Sequence, residues 1–244
     1  MRNVRLDLCY DGTRYKGWQR LQNNDNTIQS KLETALSRIL GEPIEITGSG
    51  RTDAGTHAKL QVANFHCQSD MSCEEILSQL RRYLPEDIGI YSCKNVSPRF
   101  HARLNAKTKT YQYHIWNADT PCVFLRKYVH IDPRQVDLEL MRQAAEQFVG
   151  QHDFSAFCAN KNMKKSTVRY IESFTITQDG DSLYFTVTGN GFLHHMVRIM
   201  VGTLLEVGRG ERAADSIVSL FGAERAMAGE LIPSSGLTLM EVTY

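Results

Sequence analysis

The stretch Ile171–Thr188, IESFTITQDGDSLYFTVT, decides the fold class. Its two flanks, Ile171–Thr177 and Leu183–Thr188, are rich in β-branched and aromatic residues, and Asp179-Gly180 between them is a turn pair. That pattern predicts a direct hairpin with antiparallel strands. Elsewhere predicted strands and helices alternate, which alone would fit a parallel sheet. Parallel strands need a crossover connection, so the hairpin argues against an all-parallel sheet. An α+β fold is expected.

Working outward, the second half opens near Asn105. Tyr111, Tyr113 and Ile115 alternate with Thr110, Gln112 and His114, which predicts a strand with both tyrosines on one face. A helix from about Asp137 turns Leu138, Met141, Ala145 and Phe148 inward, with Gly150 at the position of a C′ glycine. After the hairpin come an apolar helix over Phe192–Val207 and a closing strand, Thr238–Tyr244. The first half has the same alternation. Val4, Leu6, Leu8 and Tyr10 mark a strand. A helix starts near Thr27 with Ile28, Leu32, Leu36, Ile39 and Leu40 as its stripe, and Asn26 with Gln29 reads as its capping box. Short strands at Ile44–Ile46 and Gln61–His66 flank GSGRTDAGTHA, Gly48–Ala58. Ser72 with Glu75 caps a second helix, Pro85 ends it, and a strand covers Ile88–Val96. The join near Ser97–Ala106 is basic rather than flexible. The expected organisation is therefore two similar halves, 1–104 and 105–244, packed together.

Composition sets the class. The chain has 244 residues, 42 % of them hydrophobic and 23 % charged, which is ordinary for a globular protein able to bury a real core. No apolar run approaches the roughly 20 residues that cross a bilayer, and the start lacks the apolar segment of a signal peptide. A cytoplasmic protein with no membrane partner is expected. Cys9, Cys67, Cys73, Cys93, Cys122 and Cys158 are scattered with no CxxC pair, so they read as free thiols rather than a disulfide framework or zinc site.

The net charge of +1 predicts no nucleic acid, but the distribution is uneven. Arg2, Arg5, Arg14, Lys16 and Arg20 face only Asp7 and Asp11 in the first 24 residues. Arg99, Arg103, Lys107, Lys109, Arg126 and Lys127 cluster between Pro98 and Tyr128, and Lys161, Lys164, Lys165 and Arg169 form a third group. Such a face could bind a phosphate backbone, or could be solvated loops.

Three segments could carry chemistry. Gly48–Ala58 frames Arg51, Thr52 and Asp53 with glycines that allow close approach of a ligand. It is not a P-loop, since no Gly-Lys-Ser/Thr follows, and not a dinucleotide fingerprint, since a strand comes next. A polar turn with a salt bridge is the plain alternative. Lys109–Tyr113 could be a stacking platform or a pair of core tyrosines. In Gly191–Gly202, GFLHHMVRIMVG, Arg198 stands in an apolar run. A buried arginine needs a partner, for which Asp53 is a candidate, or it points to water. His194 and His195, as neighbours on a helix, would diverge by about 100° and could not chelate together, so no metal is expected.

These segments together resemble the TruA family of transfer-RNA pseudouridine synthases. Gly50–Ala58 looks like that family's active-site motif. Phe100-His101-Ala102-Arg103, Tyr111-Gln112-Tyr113, His152–Phe157, Phe192–Arg198 and Ser235–Leu239 occur in the family's order, and Tyr10–Thr13 with Gly17-Trp18-Gln19 fits its opening. One departure is Thr56, where members usually carry valine. The resemblance implies two RRM-like (ferredoxin-like) halves whose antiparallel sheets join, with a central basic active-site cleft. It implies a homodimer, transfer RNA as partner, and isomerisation of uridines in the anticodon stem-loop at positions 38–40 of that RNA. No cofactor is needed, because the reaction has no net redox change.

The resemblance also implies roles: Asp53 as the catalytic carboxylate, Arg198 as the cation that keeps it ionised, Tyr111 stacked on the uracil and able to relay a proton, and Arg51 filling the vacated space or holding the flipped nucleotide. Arg14, Lys16, Arg20, Arg103, Lys109, Lys164 and Lys165 would contact the RNA. Two other classes compete. A catalytically silent RNA-binding module would explain the basic clusters and tyrosines but not the glycine-framed aspartate. A hydrolase built on Ser155 lacks a nucleophile elbow.

Overall fold

A computed structural model describes residues 1–160 and 163–244; Lys161, of the third basic cluster, lies outside the described residues. The elements run β1 (Arg2–Tyr10), α1 (Ile28–Leu40), β2 (Ile46–Gly48), β3 (His57–Cys67), α2 (Cys73–Tyr83), β4 (Ile88–Val96), β5 (Lys109–Trp116), β6 (His130–Ile131), α3 (Leu138–Glu146), β7 (Gly150–Asp153), β8 (Val168–Asp179), β9 (Ser182–Gly189), α4 (Met196–Gly208) and β10 (Leu237–Val242). Short 3-10 turns lie at Ser155–Phe157, Ala214–Leu220 and Arg225–Met227. Antiparallel pairing with interspersed helices bears out the α+β class. The chain divides into two compact units, Met1–Lys107 with Thr238–Tyr244, and Thr108–Leu237.

In the first unit β1 lies between β4 and β3, antiparallel to both. β2 pairs antiparallel with β3, and β10 adds a short parallel pairing, Thr238 opposite His57. Val4, Leu6 and Leu8 of β1 are fully buried, as are Ile28, Leu32 and Leu36 of α1 and Ile76 and Leu80 of α2. At about 25 cal/mol per Å² of apolar surface, these side chains dominate the unit's stability. The opposite face of β1 is polar: Arg5 pairs with Asp7 at 2.6 Å and lies over the rings of Phe100 and Tyr244.

The first helix is capped differently from the expectation. Thr27 is the N-cap and accepts from the Ser30 N–H, while Asn26 donates instead to the Arg14 carbonyl. Asn26 is drawn to a distant loop, so its neighbour takes the cap. The Ser72–Glu75 capping box of α2 is complete.

The second unit is a four-stranded antiparallel run in the order β5-β9-β8-β7, with β6 parallel to β5. The hairpin turn falls at Gly180, φ 55°, where the left-handed backbone favours glycine. Asp137 caps α3 with two hydrogen bonds. The helix ends at Gln147, so Gly150 is not its C′ residue but begins β7. Phe148, Phe154 and Phe157 are fully buried beneath Phe174, and His152 stacks on Phe221 with centroids 4.0 Å apart. This aromatic cluster accounts for the HDFSAF segment as core.

The apolar helix starts four residues later than its sequence pattern suggests. His195 adopts φ 62°, a left-handed conformation that a helix cannot contain, and α4 begins at Met196. His194 and His195 therefore precede the helix, and their rings lie 3.7 Å apart. The helical divergence expected of them does not apply. No helix among the described residues is long and apolar enough to cross a membrane.

Candidate active site

The aspartate loop of the first unit is braced on two sides. The first brace is the segment after β1. Gly12 lies so close to the loop that a Cβ there would fall 1.9 Å from the Thr56 carbonyl oxygen. Gly17, at φ +91°, lies against the Thr52 carbonyl and the Asp53 and Ala54 backbone. The Trp18 N–H donates to the Thr52 carbonyl at 3.0 Å, and the Gly55 N–H to that of Tyr15 at 3.3 Å. The two opening glycines thus let one backbone pack on another, which any side chain would prevent.

The second brace is β3. Gln61 is fully buried; its amide donates to the Gly50 carbonyl at 3.1 Å, and its oxygen accepts from the Ser49 hydroxyl at 2.5 Å. The Tyr10 and Thr52 hydroxyls are 2.8 Å apart. Burial pushes the Tyr10 phenol up to about 12, against the opposing pull of Thr52 and Gln61, so it is a neutral partner rather than an acid or base. His57, also buried, accepts at Nδ1 from the Gly12 N–H at 3.0 Å. Within this frame the Thr56 N–H closes on the Asp53 carbonyl at 3.1 Å, forming a tight turn. Asp53 is half-buried and Arg51 exposed. Chemically, the loop holds a carboxylate with a fixed backbone at a partly dry surface.

Gly12, Gly17 and Gln61 are not among the residues picked out for chemistry from the sequence. Gly12 and Gly17 stand there only within the opening segments of the resemblance, and Gln61 only as a polar residue among apolar neighbours in the β3 run.

The expected basic residues of this unit divide in two. Arg14 holds the carboxylate of Asp87 through Nε at 3.0 Å and Nη2 at 2.5 Å, and Arg20 pairs with the buried Glu33 at 2.9 Å. Their charges are partly spent inside the unit. Lys16 and Arg103 are exposed.

In the second unit Tyr111 and Tyr113 share the buried face of β5. Tyr113 is fully buried and donates its hydroxyl to the Pro233 carbonyl at 2.6 Å. Burial raises its phenol far above the ordinary value, so it is a core residue. Tyr111 retains 8 % exposure and meets the Phe192 ring edge-on, with centroids 5.1 Å apart. Phe192 lies ahead of α4, and the late start of that helix leaves it free to reach Tyr111. Arg198, on the first turn of α4, donates from Nε to the Ile232 carbonyl at 2.8 Å and is half-buried. The reading in which it points into water is therefore set aside. Lys109 is half-buried, and Lys164 and Lys165 are exposed.

The loop therefore presents a half-buried carboxylate on a backbone braced from two sides. Comparison with known proteins gives the rest. The sequence profile of a family described as tRNA pseudouridine synthase matches residues 9–105 and 144–244. The chain is 46 % identical over 246 residues to a tRNA pseudouridine synthase A of Bacillus sp. (strain KSM-64). It is 45 % identical to one of Clostridium tetani and 42 % identical to one of Acetivibrio thermocellus. Each alignment covers all of both chains. The chain belongs to the tRNA pseudouridine synthase family and is an isomerase.

Proposed function

We propose that this enzyme converts uridines of the transfer-RNA anticodon stem-loop to pseudouridine, with Asp53 as the catalytic carboxylate. The observation that carries the reading is the aspartate loop itself: a carboxylate turn held from both sides by glycine contacts and buried hydrogen bonds. Such rigidity costs conformational entropy and suits a reaction that depends on placement. The family membership supplies the substrate class.

In the reaction the bond from uracil N1 to the ribose C1′ breaks, and a bond from C5 of the same base to C1′ forms. The C5 hydrogen leaves as a proton and N1 gains one. Nothing is oxidised or reduced overall. A carboxylate stabilises or captures the fragment that becomes electron-poor when the first bond breaks. Base flipping, which costs a few kcal/mol, exposes the nucleotide. Arg51 is assigned to the flipped nucleotide, Tyr111 to stacking on the uracil, and Arg198 to keeping the carboxylate ionised. Lys16, Arg103, Lys109, Lys164 and Lys165, with smaller contributions from Arg14 and Arg20, are assigned to the phosphates. The enzyme is expected to act as a homodimer in the cytoplasm.

The test is release of the C5 hydrogen label from uridine-labelled transfer RNA by the wild type and by Asp53→Asn. Release by the wild type alone supports the assignment. Normal turnover by Asp53→Asn would overturn the role of Asp53, and tight binding without release from any transfer RNA would overturn the substrate.

A further inference from the structure

We propose that Cys73 and Cys93 form a redox-active thiol pair that closes to a disulfide when the protein meets a low-molecular-weight disulfide. The pairing is independent of the isomerase reading. It follows from the strand register and the helix face. In β1, Arg2, Val4 and Leu6 alternate onto the face that packs beneath the helices. Cys67 lies opposite Arg2, and Cys93 of β4 lies opposite Leu6, so both sulfurs belong to this face.

Above them, Cys73 is the first residue of α2. It stands three and seven residues before Ile76 and Leu80, the two fully buried positions of that helix, so the three share its inward stripe. The cross-strand and helical periodicities therefore converge on one end of the unit. Arg81 of α2 donates to the Ile90 carbonyl of β4, and eight residues back along the helix, about 12 Å, Cys73 comes to the level of Cys93, three residues further along that strand. Arg2 donates to the Met71 carbonyl and stands across the strand pair from Cys67.

The cluster is ill suited to a metal. A guanidinium on the same face repels a cation. Cys73 and Cys93 are both half-buried, whereas Cys67 is almost fully buried, which leaves the first two as the reacting pair.

Closure runs in two exchanges. The Cys73 thiolate attacks one sulfur of the external disulfide, forming a mixed disulfide and expelling one small thiolate. Cys93 then gives its proton to solvent base and attacks the Cys73 sulfur, expelling the second small thiolate, which is protonated. The two cysteines lose two electrons, and the external disulfide is reduced to two thiols. Burial pushes the Cys93 thiol up to about 12, so the second exchange accelerates as pH rises.

The experiment treats the reduced full-length protein with 2-hydroxyethyl disulfide at mildly alkaline pH. Remaining thiols are alkylated and the peptides mapped by mass. The expected product is a Cys73–Cys93 linked peptide, reversed by dithiothreitol, with the other cysteines still alkylated. Cys93→Ala should arrest the reaction as a mixed disulfide on Cys73. Cys73→Ser, which keeps a small polar residue beside the Ser72 cap, should abolish the link even if Cys93→Ala folds poorly. Full alkylation of all cysteines after treatment, a mixed disulfide that persists in the wild type, or a link through Cys67 would each overturn the pairing.

Discussion

Gln61 Nε2 donates to the carbonyl oxygen of Gly50 at 3.1 Å, so a residue buried in the middle of β3 fixes the backbone three residues before Asp53. The same side chain accepts from the Ser49 hydroxyl. Gln61→Leu keeps the volume and removes both bonds, taking the side-chain donor from the Gly50 carbonyl at a cost of about 1–3 kcal/mol. Thermal unfolding should register that loss, and label release should fall because the loop loses a brace. A variant with wild-type midpoint and rate would mean that Gln61 does not hold the loop.

Gly12 makes the sharper case for positioning. A methyl group there would overlap the Thr56 carbonyl, 1.9 Å from its ideal position, and that atom is backbone that cannot swing aside. Gly12→Ala must shift the turn that carries Asp53. A displacement near 1 Å at a reacting group costs about 100-fold in rate. The expected signature is a lowered kcat with binding of transfer RNA little changed, because the exposed basic residues are untouched. Equal kcat values for Gly12→Ala and wild type would show that the turn tolerates the shift.

How much of this was legible in sequence depends on the range of the interactions. The hairpin at Asp179-Gly180 and the Ser72–Glu75 box are local, and the sequence pattern states both. The aspartate loop was found as a motif, but what holds it was not. Gly12 meets Thr56 across a separation in sequence that no periodicity encodes, and Gln61 reads as one polar residue in a strand. The start of α4 failed for a related reason. The apolar pattern runs on through Phe192, yet Phe192 is apolar because it packs on Tyr111, and the left-handed His195 intervenes. The first helix cap moved from Asn26 to Thr27 because the Arg14 carbonyl competes for the Asn26 side chain. Each miss is a tertiary contact overriding a local rule.

Acid sensitivity should arise in part from Asp132. It is buried beside Arg134 and Arg209, at 2.7 Å and 3.4 Å. Burial, the largest influence, would raise its carboxyl; the Arg134 hydrogen bonds and the charges of both arginines outweigh it, so the folded carboxyl titrates below its ordinary value. A depressed folded pKa stabilises the protein fully above the unfolded value of about 4 and loses that contribution as pH falls through the folded one. Asp132→Asn should therefore cost about 1–3 kcal/mol at neutral pH. It should also flatten the decline in urea midpoint between neutral pH and about pH 3. Parallel declines for variant and wild type would assign the acid sensitivity to other carboxylates.

Thr56 stands in the turn that carries Asp53, and its surroundings predict what a valine there would do. It is 1 % exposed, and its hydroxyl oxygen is buried with no hydrogen-bond partner among the described residues. Its backbone is engaged with Asp53, so the side chain has little freedom to seek one. Burying an unpaired hydroxyl costs about 1–3 kcal/mol, and valine has nearly the same shape without that cost. Thr56→Val should raise the urea midpoint at unchanged m-value, by a stability gain of about 1 kcal/mol. Because the methyl groups occupy the same space, the turn and the rate of label release should stay as they are. A lowered midpoint would mean that the hydroxyl makes a bond worth more than its burial. A raised midpoint with slower turnover would mean that it acts on the Asp53 turn in a way its static contacts do not account for.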